Sequence, residues 1–116
     1  MLRATLRPAV CDLQADLVTW RRHLHQRPEL GFKEIETAAF IASKLTEWGI
    51  EFRSGVAKTG VVAILPGSRP GPVLGIRADM DALPIQERNE VSYKSQTSGQ
   101  MHACGQIGRA SCRERV

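Results

Sequence analysis

The sequence predicts an α/β domain in which two helices are followed by three strands of a mixed sheet. Three observations support this class: apolar residues at helical spacing up to Trp48, apolar runs at residues 60–65 and 73–76, and a turn-forming segment at residues 66–72. The chain has 116 residues, of which 42% are hydrophobic and 24% charged, as is typical of a globular protein.

Two helices are predicted in the first half of the chain. The first begins after Asp12, whose side chain can cap it, and ends before Pro28, since a proline disfavours helix in the preceding residue. One face of this helix carries Leu13, Leu17, Trp20 and Leu24. The second helix spans residues 33–48 and ends at Gly49. Its apolar stripe consists of Ile35, Ala38, Ala39, Ala42 and Leu45.

Three strands are predicted after Gly49. Residues 50–53 alternate between apolar and charged side chains, which is typical of a half-exposed strand. Residues 60–65 and residues 73–76 are continuous apolar runs, which predict strands buried on both faces.

Composition and charge exclude several classes of protein. The net charge is +4, but the basic residues are dispersed and only six residues are aromatic, so we expect no nucleic-acid partner. No run of 18 apolar residues occurs and residues 1–10 lack the apolar core of a secretory signal, so we expect no membrane partner. The three cysteines are too sparse for a disulfide framework, which favours a reduced, cytoplasmic setting.

Two short patterns carry candidate chemistry. Asp79 and Asp81 follow the predicted strand that ends at Ile76, at the sheet edge where open α/β domains bind ligands. His102 and Cys104 offer an imidazole and a thiol, both of which bind transition metals. Each pattern alone is weak, because acidic residues at strand ends often form turns and a lone cysteine is often a small buried hydrophobe. We interpret His23 and His25, near the end of the first helix, as structural.

The order of several motifs is more informative than any one of them. The segments are WRRHLH at 20–25, PELGF at 28–32, EWGI at 47–50, TGVV at 59–62, LGIRADMDALP at 74–84 and MHACG at 101–105. In this order they closely resemble the N-terminal part of the amidohydrolase family of hippurate hydrolases and indole-acetyl-amino-acid hydrolases, which are relatives of aminoacylases and metal-dependent carboxypeptidases.

The resemblance implies an enzyme that hydrolyses the amide bond of N-acyl amino acids with two divalent metal ions, which are zinc, manganese or nickel in this family. Cys104 matches the family's metal-ligand cysteine, so it is expected to bridge the metals as a thiolate. Asp81 matches the acidic residue that orients the metal site. Asp79 stands where related peptidases carry a ligand histidine, and His102 is given no ligand role.

The implied fold is the N-terminal part of a zinc-peptidase-like catalytic domain with a mixed central sheet. The family's inserted lid domain, which often mediates dimerisation, is absent from this sequence, so a homodimer or larger homo-oligomer is an expectation for the parent enzyme only. On this interpretation residues 1–105 are the front of the catalytic domain.

The resemblance stops at Gln106. The family continues with His-Asp-Gly-His-Thr, whereas this chain reads QIGRASCRERV at residues 106–116. The expected ligand histidine is therefore replaced by Gln106, an amide that binds transition metals poorly. One reading frame of a common sequencing adapter encodes residues 107–116, which predicts that residues 106–116 are not native and that the chain is an inactive fragment.

A second interpretation from another class stays open, namely a non-catalytic binding or regulatory module that keeps the front half of the fold. The enzyme is favoured because residues 77–84 and 101–105 retain the site's motifs intact. A nucleic-acid-binding protein is disfavoured because the chain lacks both an aromatic platform and a basic stripe.

Overall fold

The computed structural model describes residues 7–104, which form three helices and one two-stranded sheet. In chain order the elements are α1 (Pro8–Asp12), α2 (Gln14–Gln26), α3 (Ile35–Glu47), β1 (Glu51–Val56) and β2 (Gly60–Ile64). The predictions about residues 105–116, including Gly105, Gln106 and Cys112, lie outside the described residues, as do those about residues 1–6.

The start of the first helix differs from the prediction. Pro8 occupies the first turn of α1, where its fixed φ suits a helix and its missing N–H is not needed. Asp12 therefore lies at the end of α1, and Leu13 (φ −78°, ψ −6°) continues the chain into α2. The prediction that Asp12 caps the helix is wrong, since α2 has no side-chain cap. The end before Pro28 is confirmed, because α2 ends at Gln26.

Helix α3 lies within its predicted range and ends as expected. Gly49 adopts a positive φ of 67°, which glycine tolerates without steric cost. The backbone N–H of Ile50 donates to the Leu45 carbonyl at 2.9 Å, and that of Gly49 donates to the Thr46 carbonyl at 3.0 Å. This pair of bonds is the Schellman motif, which satisfies carbonyls at the end of a helix.

Strands β1 and β2 form an antiparallel hairpin that packs against α3. Phe52 pairs with Ala63 and Ser54 with Val61, and the register shifts between Ser54 and Val56. Gly55 at this bulge has a φ of 74°. The predicted strand at residues 50–53 is thus confirmed and extends to Val56.

The two predicted buried strands are corrected by the structure. Residues 60–64 do form β2, but Ile64 is 57% exposed, because β1 is the only strand beside β2 among residues 7–104. Residues 73–76 form no strand, and Val73 is 97% exposed. A run of this kind needs neighbouring strands and a covering layer, and residues 7–104 supply neither. The sheet within the described residues is an antiparallel pair, whereas a mixed sheet was predicted.

The helical stripes are also only partly covered. Leu13 and Leu17 are exposed at the start of α2, and Ile35 is exposed at the start of α3. Trp20 is half-buried and lies 5.3 Å from Trp48 between ring centroids, so α2 meets the end of α3 through this aromatic pair. No helix within residues 7–104 is long and apolar enough to cross a membrane.

We predict that Gly60→Ala destabilises the hairpin. A Cβ at Gly60 would lie 2.6 Å from the Val56 carbonyl oxygen, a backbone atom that cannot move without disturbing the turn. Urea unfolding followed by tryptophan fluorescence should show a loss of about 1–3 kcal/mol. Gly71→Ala is the matched control, because a Cβ there meets nothing within 4 Å. Equal stability of the two variants would contradict the prediction.

Candidate active-site cleft

Two isolated backbone bridges build the candidate site by joining three distant parts of the chain. Ala82 pairs with Leu30 in parallel, and Leu83 pairs with Met101 in antiparallel orientation. The Leu83 N–H donates to the Met101 carbonyl at 2.9 Å, and the Met101 N–H donates back at 3.0 Å. Asp81 and His102 flank this ladder, so the bridges bring the two sequence motifs together.

The motifs meet in an open cleft of about 360 Å³. Its wall contains both residues to which the sequence assigns a role, Asp81 and Cys104, and both are exposed. The other lining residues are Arg21, Leu24, His25, Asp79 and His102. Asp81 and Cys104, which stand 23 positions apart in the sequence, therefore share one surface.

Asp79 contributes a second carboxylate to this cleft. It accepts a hydrogen bond from Arg77 Nε at 3.2 Å, and the Arg77 side chain is largely exposed. An ion pair with one exposed partner adds little to stability, about 0–1 kcal/mol. The pair orients the Asp79 carboxylate more than it stabilises the fold.

His102 lies half-buried behind Asp81. Burial lowers the pKa of His102, and nearby His25 lowers it further, while a hydrogen bond to the Asp81 backbone and the Asp81 charge act in the opposite direction. Its Nε2 atom is buried and has no hydrogen-bond partner among the described residues. His102 therefore holds a buried nitrogen without a hydrogen-bond partner among the described residues at the wall of the cleft.

His25 is held by a carboxylate that is distant in sequence. Its Nε2 lies 3.0 Å from Oε1 of Glu87, a residue that is only 2% exposed. Burial raises the pKa of Glu87, but hydrogen bonds from the Ser95 N–H, His25 and Asn89 outweigh it and lower the pKa to about 2. Glu87 is therefore ionised throughout the physiological range.

The neighbouring His23 has a different environment. Burial and the Arg27 charge lower its pKa, with a smaller opposing effect from Glu36. Its Nδ1 lies 3.0 Å from Arg27 Nη1, and its ring stacks on Phe40 with centroids 4.5 Å apart. His23 faces α3 and does not line the cleft.

Two further glutamates fix the segment between α2 and α3, which contains the Leu30 bridge. Glu29 accepts hydrogen bonds from the Thr37 N–H and hydroxyl, both at 2.6 Å, and from the Glu36 N–H at 3.1 Å. Burial opposes ionisation of Glu29, yet these bonds lower its pKa. Glu34 is buried and accepts a hydrogen bond from the Thr59 hydroxyl at 2.7 Å, which joins the start of α3 to the hairpin turn.

The donor types in the cleft suit a transition-metal ion only in part. A cysteine thiolate and imidazole nitrogens are ligands for zinc and similar ions, and Cys104 is accessible. However, residues 7–104 contain no group of three His, Cys, Asp or Glu side chains that could hold a metal ion. The described residues thus offer single ligands and do not build a complete metal centre.

The sequence predicts Asp81 and Cys104 as site residues, but it gave no role to Glu87 and interpreted His25 as structural. His25 is 62 positions from Glu87, and no spacing rule relates a helix residue to a carboxylate in a later irregular segment. A weak signal was available, because His25 falls within the WRRHLH motif that carries the family resemblance.

Known proteins resemble this chain along most of its length. It is 45% identical over 111 residues to an N-acyl-L-amino acid amidohydrolase from Geobacillus stearothermophilus, an alignment that covers 96% of this chain and 30% of the relative. It is 44% identical to a hippurate hydrolase from Campylobacter jejuni, covering 90% of this chain and 27% of that protein. No family model matches the chain.

A solved structure extends the likeness to the fold. This Bacillus subtilis protein, a dinuclear metal binding peptidase from the M20 family, superposes with a TM-score of 0.76 at 46% identity, covering 82% of this chain and 27% of that one. The fold is therefore that of the N-terminal part of an M20 peptidase catalytic domain.

The chain is homologous to the N-terminal part of amidohydrolases that include N-acyl-L-amino acid amidohydrolase and hippurate hydrolase, which confirms the resemblance drawn from the motifs. It spans about a quarter to a third of the length of these relatives.

The ionised Glu87 predicts a specific acid sensitivity. Its pKa is about 2 in the folded chain against an ordinary value of 4.5, so it stabilises the fold above pH 4.5 and this contribution is lost as the pH falls from 4.5 towards 2. We expect Glu87→Gln to lose about 1–3 kcal/mol of unfolding free energy at pH 7.

The difference in unfolding free energy between wild type and Glu87→Gln should shrink towards zero near pH 2, as measured by urea titrations from pH 7 to pH 2. Glu51→Gln is the control, because Glu51 is exposed at the start of β1. A difference that stays constant across this range would contradict the assignment.

Proposed function

We propose that the whole protein from which this chain derives is a metal-dependent amidohydrolase that cleaves the amide bond of N-acyl amino acids. The observation that carries the proposal is the cleft that Asp81 and Cys104 share, in a chain that is 45% identical to an N-acyl-L-amino acid amidohydrolase over 111 residues.

Cys104 is the proposed metal ligand in this chain. Its thiol is exposed in the cleft, and a thiolate binds divalent transition metals strongly. When bound, a pair of divalent ions supplies Lewis-acid polarisation of the amide carbonyl and activation of water. The similar peptidase structure is dinuclear, and we propose zinc, manganese or nickel as the ions here.

Asp81 is proposed to orient the site rather than to act alone. Its backbone is fixed because the next residue, Ala82, donates to the Glu29 carbonyl at 2.8 Å and Leu83 bonds to Met101. A carboxylate on such a rigid ladder can hold a metal ligand in place.

Three further proposals concern the whole protein. Its substrates are small N-acyl amino acids, with neither a nucleic-acid nor a membrane partner. It acts in the cytoplasm. It assembles as a homodimer or larger homo-oligomer, as the family resemblance implies.

The segment 106–116 is proposed to be non-native, because the family motif breaks at Gln106, where a histidine is expected. Resequencing of intact genomic DNA should show a histidine codon at position 106 followed by an open reading frame. Finding the QIGRASCRERV codons in the genome would overturn this proposal.

We predict metal-dependent hydrolysis by the product of the uninterrupted gene. Release of glycine from hippurate should require zinc, manganese or nickel and should stop when a chelator is added. Cys104→Ser should lower kcat/KM by about 100-fold or more, because a hydroxyl is a far weaker ligand than a thiolate.

Cys11→Ser is the matched control, because Cys11 is equally exposed but lies on α1, outside the cleft. The 116-residue chain itself should release no glycine, since residues 7–104 gather no three metal ligands. Full activity of the Cys104→Ser enzyme, or chelator-resistant turnover, would refute the proposal.

A further inference from the structure

The buried Glu87 carboxylate is committed to hydrogen bonds on both of its oxygens. Oε1 lies 3.0 Å from His25 Nε2 and accepts from Asn89 Nδ2 at 3.2 Å, while Oε2 accepts from the Ser95 N–H at 2.6 Å. An ionised carboxylate can only accept hydrogen bonds, so the nitrogen of His25 that faces it must carry a proton.

In the neutral ring, this requirement fixes the tautomer of His25. With the proton on Nε2, the neutral ring has its lone pair on Nδ1, which is then a hydrogen-bond acceptor. The opposite tautomer would place a lone pair against the Glu87 carboxylate and would lose a charge-assisted hydrogen bond in a buried position.

The ring is also restrained against rotation. Tyr93 meets His25 edge to face with centroids 5.8 Å apart, and the His102 ring lies 6.4 Å away on the cleft wall. Tyr93 is itself covered by the Arg22 guanidinium, 4.6 Å from its ring centroid. His25 therefore has a fixed orientation on the wall that also carries Asp81 and Cys104.

We infer that Glu87 is a positioning residue which holds His25 in the Nε2–H tautomer, so that Nδ1 accepts the amide N–H of an N-acyl amino acid in the cleft. This inference rests on the proposed function. An N-acyl amino acid has acceptors on its carbonyl and carboxylate groups, but its amide N–H is its one donor when the side chain is apolar. A fixed acceptor therefore selects and orients the bond that is to be cleaved.

The test uses nitrogen NMR of the histidine side chains in the ¹⁵N-labelled 116-residue chain, with hippurate as the probe. Wild type should show His25 as the Nε2–H tautomer, and hippurate should shift its Nδ1 resonance. N-methylhippurate lacks the N–H and should leave the Nδ1 resonance unmoved. Glu87→Gln should populate both tautomers and lose the hippurate-induced shift.

Glu90→Gln is the matched control, since Glu90 is highly exposed and bonds only to Lys94 among the described residues; it should behave as wild type. An Nδ1–H tautomer in wild type would overturn the inference, as would absence of a hippurate-induced shift or an equal shift with N-methylhippurate. If Glu87→Gln does not fold, the wild-type and Glu90→Gln spectra with the two ligands decide the matter.

The tautomer is independent of turnover. Failure of the full-length enzyme to hydrolyse hippurate would overturn the proposed function and leave the His25 assignment to be judged on these spectra. A purely structural Glu87–His25 pair would fix the tautomer but would not make Nδ1 respond differently to the two ligands.

Discussion

The hydrogen bond between His25 and Glu87 is the interaction on which the arrangement of the cleft depends. Residues 84–100 contain no helix or strand, yet they must return the chain so that Met101 meets Leu83. The Glu87 side chain joins this segment to α2 through its hydrogen bond with His25. It also joins two parts of the segment, because it accepts a hydrogen bond from the Ser95 N–H. A second tie lies close by, where the Gln96 N–H donates to the Gln26 carbonyl at 2.9 Å. These polar ties act together with the Leu83–Met101 bridge to hold the second motif against the first.

Most of the buried side chains within residues 7–104 are polar and hydrogen-bonded. The buried apolar residues within residues 7–104 are Ala82 and Pro28, whereas Glu34, Thr37, Thr59 and Glu87 are all buried and hydrogen-bonded. Each glutamate joins elements that are separated in sequence, because a carboxylate can accept from several donors at once. Such contacts are directional, so they fix positions more sharply than apolar contacts of similar strength.

Local patterns in the sequence were sufficient to predict the elements whose bounds depend on nearby residues. Helix α3 and its end at Gly49 follow from spacing and from the conformational freedom of glycine, and β1 follows from alternation. The motifs predict that Asp81 and Cys104 belong to one site, and both line the same cleft, but their roles stay predictions. What the sequence could not predict depends on distant partners. The apolar run at residues 73–76 was predicted to be a strand, but a strand there needs neighbouring strands, which the described residues do not supply. Glu87 hydrogen-bonds to a histidine 62 positions away, which no local pattern indicates.

Glu29 connects two regions through different parts of the same residue. Its side chain binds the first turn of α3 through Thr37, while its backbone carbonyl accepts the Ala82 N–H. The number of residues between Pro28 and Thr37 is therefore set by geometry, because one insertion would separate the helix start from the segment that carries Asp81. Homologous chains should consequently keep this spacing constant and should tolerate insertions and deletions at residues 66–72, where the chain is exposed and outside every helix and strand.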